Sequence, residues 1–140
     1  MKVEKLDRVA IWVEDIDKAI ELYSSLLGIT FDKMPEHAPS SRKDIKAIRM
    51  AVSPAGLELL QTVPPLQTEG VRSVVFKVAD IEQAKAEMKE KGFPLLVDVK
   101  RGGLKEAIFG SVLGSDNARG ARLVLVEYEA PTVAEAMRQE

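Results

Sequence analysis

Few side chains in this 140-residue sequence are equipped for chemistry, and their types exclude more than they suggest. There is no Cys, which removes thiol catalysis, zinc knuckles and disulfides together. The single His, His37, lies in a Pro- and Ser-rich stretch that reads as a loop, far in sequence from the strand-like segments. A divalent metal needs several converging donors, and one imidazole in a loop reads first as a solvated side chain. Ser40 and Ser41 have no base beside them, so nucleophilic catalysis has no support. The stretches Arg101–Leu104 and Gly114–Gly120 lack phosphate-loop spacing and read as ordinary turns.

Any chemistry must therefore come from groups positioned by the fold, and the fold announces itself as a repeat. Leu6–Ala19 reads LDRVAIWVEDIDKA, and Val71–Ala84 reads VRSVVFKVADIEQA. At an offset of 65, Val9 meets Val74, Val13 meets Val78, Asp15 meets Asp80, Ile16 meets Ile81 and Ala19 meets Ala84. Each copy is a strand with period-two alternation, then an Asp able to cap a helix, then the helix. Asp80 with Gln83 resembles a capping box, and Gly28 and Gly92 stand where the helices end. The first helix, Asp15 to Leu27, carries Ile16, Ala19, Ile20, Tyr23 and Leu27 on one stripe. The second, Asp80 to Lys91, carries Ile81, Ala84 and Met88.

Three further strands are predicted after each helix. They are Ile29–Met34, Asp44–Val52 and Leu57–Thr62, then Pro94–Val99, Lys105–Leu113 and Arg122–Tyr128. LELLQTVPP from Leu57 lies over LVLVEYEAP from Leu123. The chain thus reads as one α+β domain over residues 1–140, built from two tandem βαβββ modules. The modules occupy 1–65 and 70–131, Val63–Gly70 links them, and 132–140 forms a short helix or tail.

Composition narrows the partners. A hydrophobic fraction of 46% and a charged fraction of 30% are those of a soluble globular domain. The net charge of -2 comes without a basic stripe, which argues against nucleic acid. No signal peptide, membrane span or basic amphipathic stretch is evident, so the expectation is a cytoplasmic protein with no membrane partner.

On these residues the sequence resembles the vicinal-oxygen-chelate superfamily, the glyoxalase, bleomycin-resistance and dioxygenase relatives. The resemblance runs from about Leu6 to Glu129 and is strongest in VAIWVEDIDKAIELYSSLLGITF, with GLELLQ and FKVADIEQAKAEMKEKG also typical. Methylmalonyl-CoA epimerases and glyoxalase-type lyases look like the nearest enzymatic cousins. The resemblance implies an open, cupped mixed sheet and four metal ligands on the cup face. One ligand comes from the first strand and one from the last strand of each module. Carried onto this sequence, those positions are Arg8, Ser73, Glu58 and Val124, so one competent donor remains. Glu127 would substitute for Val124 only if the last strand slipped by one residue. A permanent cation at Arg8 would also repel a metal ion. The expectation is therefore no metal and no cofactor.

Alternation puts Val9, Ile11 and Val13 under the helices, and Arg8, Ala10 and Trp12 on the cup face. Ser73, Val75 and Lys77 follow the same rule, as do Glu58, Leu60 and Thr62, and Arg122, Val124, Val126 and Tyr128. From these, the candidate ligand-binding residues are Arg8, Trp12, Glu58, Ser73, Lys77, Arg122 and Tyr128, with Glu58 the one catalytic candidate. Arg8 and Glu58 are expected to form an ion pair, which either grips an anionic ligand or props up the cup. Trp12 either stacks on a planar ligand or fills a subunit contact. The leading functional expectation is a small-molecule binding protein with a degenerate metal site, taking a small anionic or aromatic molecule and forming a homodimer. The alternative is a metal-dependent lyase, epimerase or dioxygenase with unusual ligands. A third reading is an interaction subunit whose cup is filled by side chains.

Overall fold

The structure, a computed structural model, describes residues 1–39, 42–110 and 121–139. Among them are eight strands and three helices, with the strand–helix–strand–strand–strand order occurring twice. The elements are β1 (Val3–Trp12), α1 (Ile16–Leu27), β2 (Asp32–His37), β3 (Ala47–Ser53) and β4 (Leu57–Val63). The second series is β5 (Gly70–Val78), α2 (Ile81–Glu90), β6 (Leu95–Arg101), β7 (Leu104–Phe109), β8 (Leu123–Glu127) and α3 (Val133–Arg138). The fold is α+β, as expected. Ser40, Ser41 and the stretch Gly114–Gly120 lie outside the described residues, as do the last three residues of the strand predicted to end at Leu113.

The chain divides into two compact units, Val9–Arg72 and Met1–Arg8 with Ser73–Glu140. β1 contributes Val9–Trp12 to the first and Val3–Arg8 to the second. In the unit Val9–Arg72, β1 pairs parallel with β4, placing Ala10 opposite Glu58 and Trp12 opposite Leu60. β3 runs antiparallel to both β4 and β2. In the other unit, β5 pairs parallel with β8, and β7 runs antiparallel to β8 and β6. Each unit thus holds a mixed sheet with a helix, α1 or α2, packed on one face, and the second unit adds α3 against β6 and β7.

The packing follows the predicted stripes. α1 buries Ile16, with Ala19, Ile20 and Tyr23, against Ile11, Val13, Ala51 and Leu59. Leu27, read as the end of that stripe, is 60% exposed, because the helix stops there and Gly28 turns left-handed at φ 66°. α2 buries Ile81, Ala84 and Met88 against Val78, Ala107, Phe109 and Leu125.

Both helices start in the same way. Asp15 and Asp80 cap them, accepting from the Lys18 and Gln83 N–H groups at 3.1 Å each. Each also sends its first N–H to the closing strand of its own unit. Ile16 N–H donates to Gln61 Oε1 at 2.9 Å, and Ile81 N–H donates to Glu127 Oε1 at 3.0 Å. Gln61 and Glu127 occupy matching places in the LELLQ and LVLVE segments, so the internal repeat extends to a side-chain hydrogen bond.

His37 is corrected by the structure: it closes β2, opposite Ile48, rather than sitting in a loop. A register shift between Met34 and His37 carries the strand past Pro35, where local preference alone would end it. The Arg101–Leu104 turn is more constrained than an ordinary one. Gly102 has φ 57°, and a Cβ there would lie 2.2 Å from the carbonyl oxygen of Gln139 at the end of α3. Among the described residues, no helix is long and apolar enough to cross a membrane.

Candidate functional site

Alternation decides which side chains leave the helix-packed face. In the unit containing α2, Phe76, Val78 and Leu125 face the helix, so Ser73, Val75, Lys77, Val124 and Val126 point the other way. Most of that second face is buried: Ser73 is 1% exposed, and Val75, Val124 and Val126 are 0% exposed. A charge placed there must find its counter-charge within the protein.

Arg8 does so. Its guanidinium, 1% exposed, lies between two carboxylates. Nη1 donates to Asp7 Oδ2 at 2.7 Å, and Nη2 donates to Glu106 Oε1 at 3.2 Å. Asp7, whose side chain is 2% exposed, also accepts from the Tyr128 hydroxyl at 2.5 Å. Lys77 sits over the Tyr128 ring, its Nζ 4.1 Å from the centroid, and lies 3.9 Å from Glu4. Burial first, and the hydrogen bond to Asp7 second, hold the Tyr128 phenol well above its ordinary value. At neutral pH Tyr128 is therefore a hydrogen-bond donor, not a base.

The network sorts the cations by availability. Arg8 is enclosed and paired on both sides, so an anion reaching it would have to displace a carboxylate. Lys77 keeps 18% of its side chain in solvent, and its partner Glu4 keeps 42%. Lys77 thus meets solvent while resting on the Tyr128 ring, and Lys5, 3.9 Å from Asp7, lies further out with 56% of its side chain exposed.

Of the residues singled out from sequence, the structure brings Arg8, Lys77 and Tyr128 into one network, with Ser73 buried in the same unit. Arg122 lies just before β8 rather than within it, and its carbonyl accepts from Val74 N–H at 3.0 Å. In the other unit, Glu58 is 3% exposed in the middle of β4. Trp12 is half-buried at the end of β1, with the Arg72 guanidinium carbon 5.5 Å from its ring centroid. Trp12 also borders a cavity of about 570 Å³ whose opposite wall is α1.

Sequence reasoning missed Asp7, Glu106 and Glu4. Alternation assigns Asp7 and Arg8 to opposite faces, which hides Asp7 as a partner. Glu106 carried a usable signal: it is a carboxylate inside the apolar strand LKEAIF, on the face where a buried cation was already expected.

The implied metal can be tested against these residues. At the four ligand positions that the resemblance implies stand Arg8, Ser73, Glu58 and Val124, which offer a cation, a weakly donating hydroxyl, one carboxylate and a hydrocarbon. Among the described residues, no three His, Asp or Glu side chains are grouped so as to hold a metal ion. That donor set does not fit a divalent cation.

Comparison with known proteins agrees on the architecture. The family described as Glyoxalase/Bleomycin resistance protein/Dioxygenase superfamily matches residues 7–109. Methylmalonyl-CoA epimerase from Mycobacterium tuberculosis superposes with a TM-score of 0.65 at 21% identity, over 91% of this chain and 90% of that one. A Streptomyces coelicolor methylmalonyl-CoA epimerase variant in complex with 2-nitronate-propionyl-CoA gives 0.69 at 21% identity, over 92% and 100%. A hypothetical protein from Bacillus halodurans gives 0.64 at 20% identity, over 90% and 95%. At such identities these likenesses speak for the fold. No curated protein matches the sequence.

Proposed function

Because this chain belongs to the glyoxalase/bleomycin resistance protein/dioxygenase superfamily, we propose that it is a small-molecule binding protein whose metal site has been replaced by an ion network centred on Arg8. The observation that carries this reading is the enclosure of Arg8 between Asp7 and Glu106 at a position where the superfamily resemblance calls for a metal ligand. A fixed guanidinium neutralises neighbouring carboxylates much as a bound cation would, but offers no open coordination position to a substrate.

In this reading the ligand is a small organic anion, and Lys77 is the group that meets it, with the Tyr128 ring beneath the ammonium. Support comes from the partial exposure of Lys77 and from the neighbouring folds, methylmalonyl-CoA epimerases among them, one in complex with 2-nitronate-propionyl-CoA. Assembly as a homodimer belongs to the same reading, supported by Leu26 and Leu27 of α1, which are 69% and 60% exposed. The metal-dependent enzyme alternative would require three donors to converge, which the described residues do not offer.

The test is calorimetric titration with aromatic and acyl carboxylates, benzoate and propionyl-CoA among them, on the wild type and on Lys77→Gln. Saturable binding that weakens roughly two- to fivefold in the variant, the worth of one exposed ion pair, supports the reading. Binding unaffected by Lys77→Gln, or no binding by any anion, contradicts it.

A further inference from the structure

We propose that the cavity beside Trp12, in the unit Val9–Arg72, is a binding site for a small organic cation carrying an aromatic ring. Its volume of about 570 Å³ falls within the range of small-molecule pockets. Its walls are amphipathic. Trp12 and Tyr23 supply two aromatic rings, and α1 and the end of β1 supply an apolar floor. Around it, Glu14, Asp15 and Glu69 set three carboxylates against the ammonium of Lys18, with the Arg72 guanidinium beside the Trp12 ring.

The cavity lies at the start of α1, where backbone N–H groups ordinarily favour an anion. Here two of the helix's own donors, and one just before its cap, are already engaged. Glu14 N–H donates to Glu69 Oε2 at 3.0 Å, Ile16 N–H to Gln61 Oε1 at 2.9 Å, and Lys18 N–H to Asp15 Oδ1 at 3.1 Å. An anion would therefore meet three carboxylates without those three donors to receive it. A cation would meet the same carboxylates with lone pairs remaining, because each oxygen pair can accept more than one hydrogen bond. The indole is also suited to such a partner, since it already carries the Arg72 guanidinium 5.5 Å from its centroid.

Trp12 is the only tryptophan of the chain, so its emission reports on this cavity without interference from another indole. Benzyltrimethylammonium chloride, titrated at constant ionic strength, should change that emission saturably. Benzyl alcohol, which keeps the ring and lacks the charge, should bind roughly tenfold more weakly or not at all. Glu69→Gln should weaken the ammonium roughly two- to fivefold and Lys18→Gln should tighten it by a similar factor, as expected for exposed charge pairs. Both changes are at solvent-exposed positions, and thermal melts establish that each variant is folded. No saturable response, equal affinity for benzyl alcohol, or indifference to both substitutions would overturn the proposal. So would emission that shifts with protein concentration alone, in step with sedimentation, since a second copy would then be the occupant.

Discussion

Arg8 Nη2 reaches Glu106 Oε1 at 3.2 Å across a separation of 98 residues in the chain. The bond joins the first strand to the seventh within one compact unit and gives a buried carboxylate a counter-charge.

Removing the cation should therefore be costly. Arg8→Ala removes the guanidinium that Asp7 and Glu106 share, and should destabilise the fold by about 3–5 kcal/mol. Urea denaturation of the variant and wild type measures this directly. A loss below about 0.5 kcal/mol would mean that the network contributes little.

Tyr128 predicts a specific alkaline response. Its folded-state pKa is raised, by burial and then by the Asp7 hydrogen bond. The unfolded chain releases the phenolic proton near pH 10 while the folded chain retains it. Below about pH 10 the stabilisation is complete, and above it the unfolded state binds fewer protons, so stability falls as pH rises. Urea midpoints at pH 8 and pH 11 should drop more steeply for the wild type than for Tyr128→Phe. Parallel drops would remove Tyr128 from the account.

The paired caps make a symmetric prediction. Gln61→Ala and Glu127→Ala each strip the acceptor from a helix's first N–H, and each should cost about 1–2 kcal/mol. Gln61→Glu and Glu127→Gln keep an acceptor oxygen in place and should cost less than half as much. Thermal or urea melts of the four variants decide whether the two bonds are equivalent.

Gly102 should tolerate no side chain. Its left-handed backbone and the Gln139 carbonyl oxygen, 2.2 Å from where a Cβ would stand, both oppose one. Gly102→Ala should destabilise by more than about 1 kcal/mol and speed amide exchange in α3 specifically. Uniform exchange across the chain would place the strain elsewhere.

Much of this architecture could be read from residue order alone. The two Asp caps, the apolar stripes and the matched closing strands led to the repeated βαβββ order, because each depends on local periodicity. Strand ends proved less legible. β1 starts at Val3 among charged residues, and β2 runs on to His37 through a proline, since pairing with a neighbour overrides local preference in both places. The site was legible in its cations and obscure in its anions. Arg8 and Lys77 stood out because a charge on an inward face demands explanation. Asp7 was hidden by the alternation rule, and Glu106 by its distance along the chain. The equivalence of Gln61 and Glu127 lay in the sequence overlay, but only the geometry revealed the helix N–H that each one receives.

The central claim, that a fixed guanidinium network replaces the metal site, is tested most directly by metal content. Purified protein is incubated with cobalt, nickel, manganese and zinc, desalted, and analysed by plasma mass spectrometry. The account predicts retention near zero for all four, and near-stoichiometric retention of any one of them would contradict it.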